Sequence, residues 1–226
     1  MTNEPQVYSS PTVETYISLD EAFARLDEQL FDQELRGTLL ITLQRRGKVE
    51  AYFSRDKFIG RGENGKTLHE IALNPAAFRN RDDEHILALL AHNMVHVNQL
   101  LADTAGSDGY HNLDWADRME AIGLIPTSNG EIGGPRTGER VGHVIKKGDR
   151  FDMVCRALLA DGRRILRYED RHDEQTERKR AERAASHTLF TCSKCFQKVR
   201  GARKTFVRCG ICNIRMQGAV GQIEPE

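Results

Sequence analysis

The sequence contains no apolar run approaching the roughly 20 residues that a membrane-spanning helix needs, so an integral membrane protein is not expected. The amino terminus, Met1-Thr2-Asn3-Glu4-Pro5, lacks a basic segment followed by an apolar one, which argues against a secretory signal. A cytoplasmic, intracellular location is the resulting expectation, nucleoid association being compatible with it. Cysteine is scarce: five residues, four of them in two C-x-x-C pairs. That pattern indicates metal in a reducing compartment better than a disulfide framework. Net charge is also absent, with 33 Lys+Arg against 33 Asp+Glu. The balance hides a polarity, because residues 1–149 hold 16 basic and 23 acidic residues (−7) and residues 150–226 hold 17 and 10 (+7). With 226 residues and 39% hydrophobic content, the chain can build one medium domain plus a small module.

A more specific absence lies at His92-Asn93-Met94-Val95-His96, where a zinc peptidase would carry H-E-x-x-H and an amide replaces the glutamate. Residues at i and i+4 project from one helix face, so His92 and His96 can bind one ion from a rigid support. His111 is the candidate third ligand, returned by the turn-rich stretch 104–110 just before a helical pattern from Leu113 to Ile122. Three imidazoles leave a fourth coordination position open, as in catalytic zinc sites. In such sites the metal lowers the pKa of water and polarises the scissile carbonyl, while the glutamate accepts the proton. Asn93 cannot accept one, and the loss of general-base help typically costs about 10²–10⁴ in rate. The competing reading is an ordinary amphipathic helix. Ile86, Leu90, Met94, Val97 and Leu101 form its expected buried stripe, but His92 and His96 fall off that stripe with Leu89 and His85.

The two cysteine pairs, Cys192/Cys195 and Cys209/Cys212, can close a tetrahedral structural zinc site at the tips of two knuckles. Two disulfides or four free thiols are the alternatives. The flanking runs Thr188–Thr191 and Thr205–Arg208 predict short strands, hence a ribbon with no recognition helix. A module of this size is too small to rest on apolar burial alone, so the metal belongs to its folding free energy. Cys155 fits a buried apolar position better than a ligand. Lys194, Lys198, Arg200, Arg203, Lys204 and Arg208 are candidate phosphate contacts, with Phe196 or Phe206 as stacking surfaces. The alternative is a solvated basic surface with both rings packed beneath the ribbon.

Elsewhere, Ser18-x-x-Glu21 reads as a capping box opening a helix with Leu19, Phe23, Leu26 and Leu30 at helical spacing. Thr38–Leu43 and Lys48–Phe53 read as a hairpin, and Thr67–Leu73 as a third strand. Asp82, Asp83 and Glu84 suit the first turn of the histidine helix. The glycine- and proline-rich stretch from Pro126 to Pro135 reads as an irregular loop that could border a cleft. His143 beyond it is either structural or an accessory acid or ligand. Tyr110 is expected to pack its ring, an oxyanion contact being the other option. Arg163–Arg183 is charged at 14 of 21 positions, with mixed sign, and predicts an exposed helix or connector.

The stretch from about Leu39 to Ile145 resembles the SprT-like zinc metallopeptidases, which include the Spartan-type proteases acting on DNA–protein crosslinks. The resemblance is carried by Glu70-Ile71-Ala72-Leu73-Asn74-Pro75, His92-x-x-x-His96, Gly109-Tyr110-His111-Asn112 and Trp115-Ala116-Asp117-Arg118-Met119-Glu120-Ala121-Ile122-Gly123-Leu124. It implies that His92, His96 and His111 are zinc ligands and that Asn93 occupies the catalytic glutamate's position. The expected architecture is an α+β, zincin-like metallopeptidase domain with a small antiparallel sheet over residues 1–160, a charged helical linker over 161–186 and a four-cysteine zinc ribbon over 187–220. Two zinc ions per chain are expected, with a protein or peptide substrate, DNA as a further candidate partner, and no membrane. Three functions follow: an SprT-like metalloprotease with hydrolysis lost or impaired at residue 93, a pseudoprotease that only binds peptides, or a nucleic-acid-binding ribbon adaptor.

Overall fold

A computed structural model describes residues 10–218 apart from positions 46, 48, 62–64, 108, 161 and 169–173. The chain divides into two compact units, residues 1–170 and 171–226.

The first unit opens with α1 (Pro11–Leu30). Its cap is Ser10, whose hydroxyl accepts from the Val13 amide at 3.3 Å, with Pro11 at the first helical position. The capping box expected at Ser18 is therefore not the helix start. Ser18 is buried two turns inside, because Ser10-Pro11 supplies an earlier and complete start signal. Leu19, Phe23, Leu26 and Leu30 form the buried face.

Three strands follow, β1 (Leu39–Leu43), β2 (Ala51–Ile59) and β3 (Thr67–Leu73), in the order β1-β3-β2. The expected β1–β2 hairpin and all-antiparallel sheet are overturned: β3 lies in the centre, parallel to β1 and antiparallel to β2. Burial explains the arrangement. Glu70 through Leu73 are all buried, as a central strand requires, whereas β1 and β2 keep partly exposed residues suited to edges. Residues 44–50 also separate β1 from β2, longer than the two to five residues of common hairpin loops. Asn74 closes the gap by donating to the Val49 carbonyl at 2.7 Å.

After a single 3-10 turn at Pro75–Ala77, α2 (Asp83–Leu101) starts at Asp82, which caps it by accepting from the His85 amide at 2.8 Å. Asp83 and Glu84 lie in its first turn. Ile86, Leu90, Met94 and Val97 are buried, as are Leu87, Ala91 and Val95, so α2 is embedded on more than one side. Leu101, expected in the stripe, is 45% exposed because the helix ends there. α3 (Leu113–Ala121) follows, capped by Asn112. Gly123 beyond it has φ +91°, and a Cβ there would stand 3.1 Å from the Asp149 Cβ, so the turn needs glycine.

β4 (Leu124–Thr127) pairs antiparallel with β5 (Gly142–Ile145). The loop expected from Pro126 thus begins later, since an edge strand tolerates a proline that has no amide to donate. α4 (Arg150–Leu159) completes the core with Phe151 and Cys155. Cys155 is 1% exposed and its thiol is pushed up to about 12 by burial, the state of a packed apolar residue.

The charged stretch expected to leave the surface at Arg163 instead docks first. The Ile165 side chain is buried, its amide donates to Asp83 at 2.9 Å, and Arg164 pairs with the same carboxylate at 3.0 Å. Leu166 packs against the same core, so the start of the run is anchored by apolar and polar contacts together.

The second unit contains α5 (Glu174–Ala185), β6 (His187–Thr191), β7 (Lys198–Ala202) and β8 (Gln217–Gly218), with β6 in the centre of an antiparallel sheet. The strand expected at Thr205–Arg208 is reduced to one bridge, Arg208 to Arg215, because the second knuckle turns the chain back immediately. No helix of the described residues is long and apolar enough to cross a membrane.

Candidate metal centres

Two groups of ligating side chains converge, one in each unit: His92, His96 and His111, and Cys192, Cys195, Cys209 and Cys212. Within each group the ligand atoms all lie within 4.8 Å of one another.

His92 and His96 share one face of α2, and the turn after α2 returns His111. That return is braced by a polar network. Gln99 donates to Asn112 at 2.8 Å and to Asp114 at 2.9 Å, while Thr104 and Arg118 each donate to Asp114 at 2.7 Å. Burial alone would raise the Asp114 carboxyl, but these hydrogen bonds hold it below its ordinary value. His111 is further fixed by a two-way backbone bridge to Gly138, with N···O distances of 2.9 and 3.0 Å.

The Nε2 atoms of His92 and His111 stand 3.2 Å apart. Zinc–nitrogen bonds of about 2.0–2.1 Å in a tetrahedron place nitrogens about 3.3–3.4 Å apart, so the spacing fits one small ion. Each outer nitrogen has a partner of its own: His111 Nδ1 lies 3.0 Å from the Gly138 carbonyl and His92 Nδ1 lies 3.2 Å from His143 Nδ1. His96 is held by stacking, its ring 6.2 Å from Phe53 at 9° and 5.5 Å from Trp115 at 22°. Trp115 is fully buried and forms the floor, 4.8 Å from His92 and 4.3 Å from His111 between centroids.

Burial depresses every one of these imidazoles. His92 falls well below its ordinary value through desolvation and then through His143, His96 and His111. His96 falls to about 3 by burial and the neighbouring His111, and His143 to about 4 by burial and His85. His111 is lowered by burial, partly opposed by its bond to Gly138. Neutral imidazole is the form that binds a metal.

Asn93 is 4% exposed, and its Nδ2 donates to the Leu89 carbonyl one turn back at 2.8 Å. The amide is thus tied to its own helix. Tyr110 does not pack as expected. The residue is 43% exposed, its amide bonding the Ser107 carbonyl at 3.0 Å. His143 joins the centre through His92, whereas the functional weight of Trp115, Phe53 and Gly138 carried no signal of its own in the sequence.

In the second unit each C-x-x-C forms the same turn. The Phe196 amide bonds the Cys192 carbonyl at 3.0 Å, the Asn213 amide bonds the Cys209 carbonyl at 2.8 Å, and both follower residues have positive φ, +58° and +53°. Cys195 and Cys209 sulfurs are 3.5 Å apart, near the edge of about 3.8 Å expected for a tetrahedron of 2.3 Å zinc–sulfur bonds. Backbone amides, led by that of Cys195, lower the Cys192 thiol to about 6. The side chain of Cys195, with burial, raises Cys212 to about 12. Phe196 and Phe206 are 72% and 75% exposed rather than packed beneath the ribbon, and the Arg215 guanidinium sits 4.4 Å over the Phe206 ring. Lys194, Lys198, Arg200, Arg203, Lys204 and Arg208 all lie on exposed positions of this unit, and the Arg208 guanidinium donates to Asn213.

Residues 19–131, half of the chain, match the SprT-like family. An "Uncharacterized protein in mucB 3'region" of Salmonella typhimurium is 46% identical over 61 residues, which span 27% of this chain and 80% of that protein.

Proposed function

Since the chain belongs to the SprT-like family, whose domain is zinc-metallopeptidase-like, we propose that it is a metalloendopeptidase by architecture whose hydrolysis is lost or strongly impaired at Asn93. Its substrates are proteins, DNA-associated ones included. His92, His96 and His111 hold one zinc with a fourth position open, and Cys192, Cys195, Cys209 and Cys212 hold a second, structural zinc. The observation that carries this reading is the convergence of three imidazoles from α2 and the returning turn within 4.8 Å.

Bound at the histidines, zinc supplies Lewis-acid polarisation and lowers the pKa of water. The chain's own part is to orient the rings on Trp115 and Phe53, keep them neutral by burial, and leave one side open. Asn93 is the deficient component, because a carboxamide takes up no proton at neutral pH. The test is to compare chelator-sensitive cleavage of candidate proteins, with and without single- or double-stranded DNA, by this chain and by Asn93→Glu. A glutamate carboxylate cannot donate to the Leu89 carbonyl, so it must leave the helix backbone and is free to face the cleft. Cleavage gained on that change, on the order of 10²-fold or more, supports an otherwise complete peptidase. No gain with zinc still bound supports a peptide-binding pseudoprotease.

A second reading, a nucleic-acid-binding adaptor, is favoured by one observation: Phe196 is largely exposed while held at φ +58°, a conformation that costs an L-residue about 1–2 kcal/mol. The turn common to both knuckles sets that φ, and the ring it leaves exposed beside basic residues suits base stacking. Salt-sensitive binding to single-stranded DNA that weakens on Phe196→Ala or Phe206→Ala supports it.

A further inference from the structure

We propose that His143 is a positioning residue of the histidine centre, selecting the tautomer of His92 that can receive a metal. The inference rests on the reading of His92, His96 and His111 as ligands.

A neutral imidazole carries one proton on one of two nitrogens, and the partner of the outer nitrogen decides which one is bare. For His111 the choice is forced: its Nδ1 faces the Gly138 carbonyl at 3.0 Å, a group that only accepts, so Nδ1 carries the proton and Nε2 is bare. Gly138 has φ +135°, a conformation that favours glycine at this contact. For His92 the choice is not forced, because its Nδ1 faces another imidazole nitrogen, His143 Nδ1, at 3.2 Å.

Two arrangements satisfy that contact. When His143 accepts, His92 holds its proton on Nδ1 and both inner nitrogens, 3.2 Å apart, are bare and ready for a cation. When His143 donates, the proton of His92 moves to Nε2 and hydrogen-bonds His111 Nε2, closing the position a metal would take. His143 therefore acts as acceptor in the metal-holding state, with its own proton on Nε2. The contact also sets His143 apart from the three ligands, since it meets the nitrogen of His92 that does not face His111.

The position of His143 follows from the fold. It lies in β5 opposite Pro126 of β4, five residues after Gly138. One segment, residues 138–143, thus supplies the outer-nitrogen partners of two of the three ligands, one from backbone and one from side chain. The third, His96, is oriented by stacking instead.

The experiment uses the full chain and three variants: His143→Ala, His143→Phe, which keeps volume without an acceptor, and His143→Gln, which restores an acceptor. Zinc affinity of the histidine centre is read by chelator competition, with the four-cysteine centre as internal control. The tautomer of His92 is read from imidazole nitrogen NMR shifts of the metal-free protein, where no ion fixes it. His143→Ala and His143→Phe should weaken zinc about 10–100-fold and remove the Nδ1–H signal of His92, with His143→Gln recovering most of both. Phe binding zinc as tightly as the parent, or an unchanged His92 tautomer in Ala and Phe, overturns the proposal. If the parent itself loses no zinc on His111→Ala, the metal centre is refuted and this proposal with it. If the parent loses one equivalent and the His143 variants match it, the positioning role alone is refuted.

Discussion

The two candidate centres achieve convergence by opposite means. In the ribbon, four ligands come from two copies of one local turn, and the apolar support is slight: Phe190 and Met216 are the buried non-cysteine members of its cluster. In the larger unit, three candidate ligands come from a helix and a distant turn, and a core including Trp115, Met94 and Phe151 packs the elements that carry them. The ribbon has little but its four cysteines to hold it, whereas the histidine centre sits within a packed core. A closed four-thiolate site suits structure, and an open three-imidazole site suits exchange with a substrate.

The sharpest way to break that contrast is to remove thiolates. Cys192→Ser with Cys195→Ser should unfold the second unit, because structural zinc contributes about 10–16 kcal/mol to such folds. The first unit should keep its histidine-bound metal, and loss of NMR dispersion confined to residues 187–218 would show it. Next is Trp115→Ala, which removes a fully buried ring beneath all three imidazoles. It should cost the first unit about 3–5 kcal/mol in denaturant unfolding and loosen metal there while the ribbon is untouched.

Acidification gives a smaller effect with a defined sign. His96 and His143 have folded-state values of about 3 and 4 against an ordinary 6.5, so the unfolded chain binds more protons as pH drops below 6.5. Stability of the metal-free first unit must then be fullest above 6.5 and fall progressively toward pH 3. A thermal midpoint that stays level between pH 7 and 4.5 would contradict the buried, neutral state of these rings. The smallest effect is expected from Phe196→Gly, which relieves a positive φ. Gains of roughly 0.5–1 kcal/mol in ribbon stability, together with weaker single-stranded DNA binding, would separate strain kept for a partner from strain with no use.

The local features were legible because their causes are local. The i, i+4 pair in His92 and His96, the helical period of Leu19 to Leu30, and the C-x-x-C spacing each follow from backbone geometry over a few residues. Misreadings arose where neighbours competed. Ser18 was a sound cap until Ser10-Pro11 offered an earlier one, and β1 and β2 looked like a hairpin until β3, buried from Glu70 to Leu73, took the central place.

The amino-acid sequence by itself determined which side chains could ligate, how each pair is spaced, and that residue 93 is an amide. Only the tertiary structure decided that His111 meets the pair, that His143 backs His92, and that Trp115 lies beneath all three. Those contacts join residues separated by up to 51 positions, and they are set by burial in a shared core, which no local pattern encodes.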